Sequence, residues 1–164
     1  MVRSAHSPPR RGARCHDGSV LVRSDRRYRF PVGPEALWPV LTRVEDYRSW
    51  WPWLRGFDGV GFEPGAAWTC VVQPPLPYSL RFRIVLDEVE PCRLATATVD
   101  CDIVGAARLE LTATDTGSEV HLTSSLAPEN QLLRAIARVA RPVAQLGHDW
   151  VIDTGLRQFR SRAL

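Results

Sequence analysis

One change of rhythm constrains this chain more than any other feature. From Ser19 to Leu126, apolar and polar residues alternate in short runs broken by Gly, Pro and Asp; from Glu129 onward the apolar residues recur every three or four positions. Period two marks strands with one buried face, and a period near 3.6 marks an amphipathic helix. Strands followed by one long helix can bury both apolar faces at once if the helix lies against the sheet.

The alternation is clearest at the two ends of the strand region. Over Ser19–Val32, Val20, Val22, Tyr28, Phe30 and Val32 share one face, with Arg23, Asp25, Arg27 and Arg29 on the other. Over Tyr78–Val89, Tyr78, Leu80, Phe82, Ile84 and Leu86 oppose Arg81, Arg83 and Asp87. Further strands are expected on either side of the Glu63-Pro64-Gly65 turn, the second over Ala67–Gln73, then over Arg93–Ile103, Gly105–Thr114 and Glu119–Leu126. Asp115-Thr116-Gly117-Ser118 is a hairpin turn. The expected total is seven strands in an antiparallel meander.

Two short helices interrupt the strands early. Pro34 suits a first helical position and Glu35 the positive end of a helix dipole, so a helix is expected from there to about Thr42. A second is expected from Glu45 or Asp46 to about Trp53. After Glu129, Leu133, Ile136, Ala140, Val143, Gly147, Trp150 or Val151, Thr154 and Phe159 form an apolar stripe, and Arg134, Arg138, Gln145, Asp149, Asp153 and Arg157 a polar one. Pro142 should separate a shorter helix from a long terminal one. Asp153 and Arg157, four apart, are expected to pair on the surface.

Composition excludes several functions. Of 164 residues, 45% are apolar and 24% charged, enough for a core with room for a small guest. The net charge of +3 comes with no lysine, and four arginines sit in the first fourteen residues, so no basic footprint for nucleic acid marks the rest. Cys15, Cys70, Cys92 and Cys101 make no CxxC pair, and the histidines are scattered, so neither a metal nor a cofactor is expected. No run approaches the roughly 18 apolar residues of a membrane span, and a cytoplasmic location is expected. Residues 1–17 read as a disordered tail, or as an over-long reading of the gene, ahead of one domain at 18–164.

The segments VGPEALWPVLTRVEDYRSWWPWL (32–54) and LGHDWVIDTGLRQF (146–159) resemble the SRPBCC superfamily, which includes START domains, pollen-allergen-type proteins and bacterial polyketide cyclase/dehydrase-like proteins. The resemblance covers about residues 19–164. It implies an α+β helix-grip fold: a curved seven-stranded antiparallel sheet wrapped around a long C-terminal helix, with two short helices after the first strand. It also implies a cavity between sheet and helix for a small hydrophobic molecule (a lipid, polyketide or aromatic metabolite), and it carries no shared catalytic motif.

The segment YRSWWPWL holds half of the six tryptophans. On a continuous helix Trp50 and Trp53 would share a face while Trp51 pointed about 100° away. These indoles are expected as core, with Trp50 or Trp53 beside the cavity mouth; a membrane anchor is disfavoured by Asp46, Arg48 and Arg55 around them. By alternation and helical phase, the expected lining from the first three inner strands is Tyr28, Phe30, Trp68, Tyr78, Phe82 and Ile84. Leu94, Val120 and Leu122 would add to it from later strands, and His148, Val151 and Phe159 from the helix. His121, Asp100, Asp102 and the Arg108–Glu110 pair are expected at the surface. His148 and Tyr78 are the candidates for proton transfer. Binding without catalysis is the favoured reading, a polyketide cyclase/dehydratase-like enzyme the alternative, and a partner-binding protein with a nearly closed cavity a third. Small residues at Ala95, Ala97, Ala106 and Ala107 favour space inside if they face inward.

Overall fold

The computed structural model describes residues 22–75, 78–129, 131, 133–135 and 141–163. The expected N-terminal tail at 1–17 and most of the expected helix before Pro142 lie outside the described residues. The strands are β1 (Val22–Phe30), β2 (Leu54–Asp58), β3 (Ala67–Val72), β4 (Leu80–Glu90), β5 (Leu94–Cys101), β6 (Ile103–Thr114) and β7 (Gly117–Pro128). Between β1 and β2 come α1 (Pro34–Leu41), a 3-10 turn (Val44–Asp46) and α2 (Tyr47–Trp50); α3 (Arg141–Arg162) closes the chain. The strands form one antiparallel sheet in the order β1-β7-β6-β5-β4-β3-β2. The α+β helix-grip architecture implied by the sequence is therefore the one observed.

That order explains the placement of α1 and α2. β1 and β2 are consecutive yet occupy opposite edges of the sheet. Their connection must cross the end of the sheet nearest Phe30, and it does so as short helices whose buried residues are Pro34, Leu37, Trp38, Val44, Tyr47 and Trp50. α2 ends at Trp50, three residues before the expected end, because Pro52 cannot supply the N–H that another turn requires.

Alternation reads the sheet faces correctly at most positions. Leu80, Phe82, Ile84 and Leu86 face inward on β4, while Arg81 and Arg83 are exposed. On β5, Ala95, Ala97 and Val99 face inward, and Ala97 sits opposite Ala107 on β6. Ala106 is exposed. Leu94, expected to face the helix, is out of phase with these residues: it pairs with Glu110, whereas Ala95 pairs with the inward Leu109. His121 lies on the outer face, 2.8 Å from Asp25 and 3.4 Å from Glu110. Arg108 and Glu110 pair there at 2.6 Å, and Arg27 and Arg29 hold the Glu119 carboxyl below the usual range. Such exposed pairs contribute little to stability.

The long terminal helix expected after Pro142 is observed as α3. Pro142 is the second residue of its described span. Phe159, 2% exposed, packs edge-on against Phe30 and Trp50 at 6.0 and 5.2 Å between ring centres. Asp153 and Arg157 do not pair as expected. Tyr28 donates to Asp153 at 3.3 Å, and Arg157 donates to the Thr154 hydroxyl at 2.9 Å. Among the described residues, no helix is long and apolar enough to cross a membrane.

Two glycines separate a steric constraint from a conformational one. Gly105 has φ 152°, and a Cβ there would lie 2.0 Å from the Ser125 carbonyl oxygen; Gly65 has φ 86° and open space around it. Gly65→Ala should lose about 1 kcal/mol, the strain of a left-handed residue. Gly105→Ala should lose clearly more, because backbone must move. Urea unfolding of the two variants checks this ordering, and equal losses would contradict it.

Candidate functional site

Between the inner face of the sheet and α3 lies a cavity of about 440 Å³. A second, of about 260 Å³, shares Trp51, Trp53, Leu109, Leu122, Val151 and Ile152 with it. The larger chamber reaches the sheet end where β1 begins and β7 finishes, bounded by Val22, Pro74, Tyr78, Ile103, Pro128 and Leu133. The smaller lies toward Phe30, Trp38 and Phe159. The space exists because the floor is made of small side chains: Ala95, Ala97 and Ala107 stand where larger residues would meet the helix.

Two indole groups stand between the chambers, and a third packs beneath the helix. Trp50, expected beside the mouth, is 3% exposed and wedged under Phe159. Trp51 and Trp53 stack on each other at 5.8 Å and 23°, and both border each chamber. Trp51 Nε1 donates to the Gly155 carbonyl at 2.8 Å, and Trp53 Nε1 donates to Gln158 Oε1 at 3.0 Å. Because α2 stops at Trp50, Trp53 is freed from helical phase and joins Trp51 rather than Trp50. Sequence reasoning missed Trp51 for this reason.

The other expected lining residues divide between the chambers. Trp68, Tyr78, Phe82, Ile84 and His148 border the larger; Tyr28, Phe30, Val120 and Phe159 border the smaller, and Trp50 with them. Leu122 and Val151 border both, and Leu94 neither. Tyr47 and Ser124 were also missed. Ser124 was legible, since it continues the period-two series of Val120 and Leu122 on β7. Tyr47 donates its hydroxyl to the Leu41 carbonyl at 2.7 Å, and burial pushes its ionisation well above the ordinary range. Cys70 is a buried wall whose thiol burial pushes up to about 12, so it is an inert apolar surface at neutral pH. Burial likewise raises the Tyr78 phenol.

Most of the polar groups near the site form a seam along one side. Ser24, Arg26 and Tyr28 share the inner face of β1; Arg26 and Tyr28 meet Asp149 and Asp153 on α3, and Gln145, on the same helical ridge, donates to the Arg23 carbonyl at 3.4 Å. Arg26 Nη2 lies 3.2 Å from Asp149 Oδ1, and Gln145 Nε2 donates to the same oxygen at 2.9 Å. Burial and the nearby Asp153 push the Tyr28 phenol up to about 12. His148 sits at the chamber side of this seam, 17% exposed. Its Nε2 is 3.4 Å from Ser124 Oγ, and its Nδ1 is 3.7 Å from Asp149 Oδ1, too long for a hydrogen bond. Burial lowers the affinity of the imidazole for a proton, Asp149 opposes that shift, and Arg26 reinforces it; the net direction is down. Among the described residues, no three His, Cys, Asp or Glu side chains gather as metal ligands would.

Comparison with known proteins agrees with this fold. The family described as polyketide cyclase / dehydrase and lipid transport matches residues 22–163. A protein of Thermus thermophilus is similar in structure, with a TM-score of 0.71 at 14% identity, over 88% of this chain and 97% of that one. Ara h 8.0201 superposes with a TM-score of 0.57 at 12% identity, over 86% of this chain and 99% of that one. The di-domain ARO/CYC protein StfQ of the steffimycin biosynthetic pathway matches over 87% of this chain and 50% of its own length, with a TM-score of 0.63 at 11% identity. No curated protein matches the sequence.

The imidazole makes stability depend on pH in a defined sense. The unfolded chain protonates its histidines near pH 6.5, whereas folded His148 takes its proton only at lower pH. Between those values the unfolded state holds more protons, so stability should fall as pH drops below about 6.5 and level off below the folded value. Urea midpoints from pH 8 to 5 should fall less steeply in His148→Gln than in the parent. Equal slopes would assign the dependence to other groups.

Proposed function

The chain belongs to the polyketide cyclase / dehydrase and lipid transport family, and we propose that it binds a small hydrophobic molecule, without transforming it, in the space between sheet and α3. The observation that carries this reading is the larger chamber, whose walls are apolar almost throughout and whose floor is kept low by alanines. Ligand cavities of natural proteins run about 300–1,000 Å³, mostly apolar with a few placed polar groups. If guest and wall together lose on the order of 400 Å² of apolar surface, the gain is about 10 kcal/mol. Immobilising the guest takes back about 4 kcal/mol or more. The remainder corresponds to a Kd in the tens of micromolar at best. Trp51 and Trp53 border the chamber, so their fluorescence reports occupancy.

A second reading, proton-moving chemistry on an aromatic or polyketide guest, draws support from the half-buried imidazole of His148 and phenol of Tyr78 at the chamber wall. A general base has to reach the proton it removes, and these two would be the groups to do so. Consumption of such a guest, lost in His148→Ala, would favour it over simple binding.

Binding is tested by titrating tryptophan fluorescence with fatty acids, sterols, aromatic polyketides and flavonoids. At least one class should give a saturable change. Ala97→Leu, which puts a larger side chain on the floor opposite Ala107, should reduce that affinity at least tenfold while the melting temperature holds or rises. Undiminished binding in Ala97→Leu would place the guest elsewhere.

A further inference from the structure

The polar seam is incompletely satisfied by the protein itself. Ser24 Oγ, Arg26 Nε and His148 Nδ1 are buried without a hydrogen-bond partner. Buried polar atoms left unpaired are destabilising, and in native proteins they call for a specific reason. Ser24 and Arg26 do not border the larger chamber; the seam reaches it through His148, beside Ser124.

The surroundings settle which polarity. Asp149 carries the negative charge, and its Oδ1 already meets two closer donors, Arg26 and Gln145. Arg26 and Asp149 neutralise each other beside the ring. The carboxylate lies on the Nδ1 side of His148. A carboxylate on that side favours the tautomer with hydrogen on Nδ1, which leaves a bare lone pair on Nε2. Nε2 faces Ser124 Oγ at 3.4 Å, a long contact that leaves both atoms able to take a better partner. A hydroxyl can donate and accept, so one hydroxyl group can serve both: it donates to Nε2 and accepts from Ser124. A carboxylate would set acceptor against acceptor and bring a second negative charge near Asp149. A bare hydrocarbon would leave Nε2 unmatched.

We propose that the guest is a hydroxylated apolar molecule, an alcohol or phenol, whose hydroxyl sits between Nε2 of His148 and the Ser124 hydroxyl. This deepens the apolar-cavity reading and rests on it. His148 is then a specificity-determining residue, choosing hydroxyl over carboxylate, and the apolar walls bind the rest of the guest.

The test uses three rigid molecules that differ only in their polar group: 2-naphthol, naphthalene and 2-naphthoic acid. Isothermal titration at pH 8 should rank 2-naphthol about fivefold tighter than naphthalene, the value of one net hydrogen bond, with naphthoate weakest. In His148→Leu the preference for naphthol should vanish while naphthalene binding persists, and in Ser124→Ala it should shrink. Imidazole ¹⁵N spectra should show Nδ1 protonated, with the Nε2 signal moved by naphthol and unmoved by naphthalene; this readout stands even if His148→Leu does not fold. Equal affinity for naphthol and naphthalene, tightest binding of naphthoate, or an imidazole with hydrogen on Nε2 overturns the proposal and leaves the cavity reading intact. Failure of all three to bind overturns the proposal, and the cavity reading falls with it only if the fatty acids, sterols, aromatic polyketides and flavonoids fail as well.

Discussion

The structure depends on how α3 is held. A seven-stranded sheet presents one apolar face, and the element that covers it is α3, which follows all seven strands in the chain. That helix is fixed at its C-terminal half by Trp51 and Trp53 donating to Gly155 and Gln158, and by Arg162 donating to the Ser49 and Trp50 carbonyls. Phe159 fills the gap between Phe30 and Trp50. Indoles suit this task because each combines a large apolar surface with one directed N–H. Pro52 ends α2 early and so turns Trp51 and Trp53 together toward the helix.

With one half of α3 fixed, the other need not descend onto the sheet. There the β5 and β6 floor is alanine, and among the described residues the first half of α3 meets β1 through Arg26, Gln145 and Asp149. A core packed to normal density would fill the gap at a gain of stability. Retaining it, and lining it with apolar walls, fits a protein whose interior is meant to hold a guest, in keeping with its family.

Much of this was legible in the sequence, and the misses share a cause. The faces of β1 and β4 followed from alternation because charged residues marked the wet side at nearly every second position. Leu94 was misplaced because an apolar residue at a strand start looks the same on either face; only its pairing with Glu110 shows the side. Trp51 was missed because period alone cannot say where a four-residue helix stops. The ridge Gln145, Asp149 and Asp153 looked like a solvated face, and Asp153 seemed paired with Arg157, because local spacing cannot see Ser24, Arg26 and Tyr28 arriving from a strand more than a hundred residues earlier. Position along one element was readable, whereas the choice between partners on different elements was set by tertiary packing.

The central claim is that the space beneath α3 holds an apolar guest. Native mass spectrometry of the full chain, expressed and purified without detergent, tests it most directly when compared with the same sample under denaturing conditions. The account predicts a native mass above that of the bare polypeptide, or one that rises by a single equivalent on adding an apolar ligand, with the excess lost on unfolding and recovered in the organic extract. A native mass equal to the bare chain, unchanged by every fatty acid, sterol, flavonoid and aromatic polyketide offered, would contradict it.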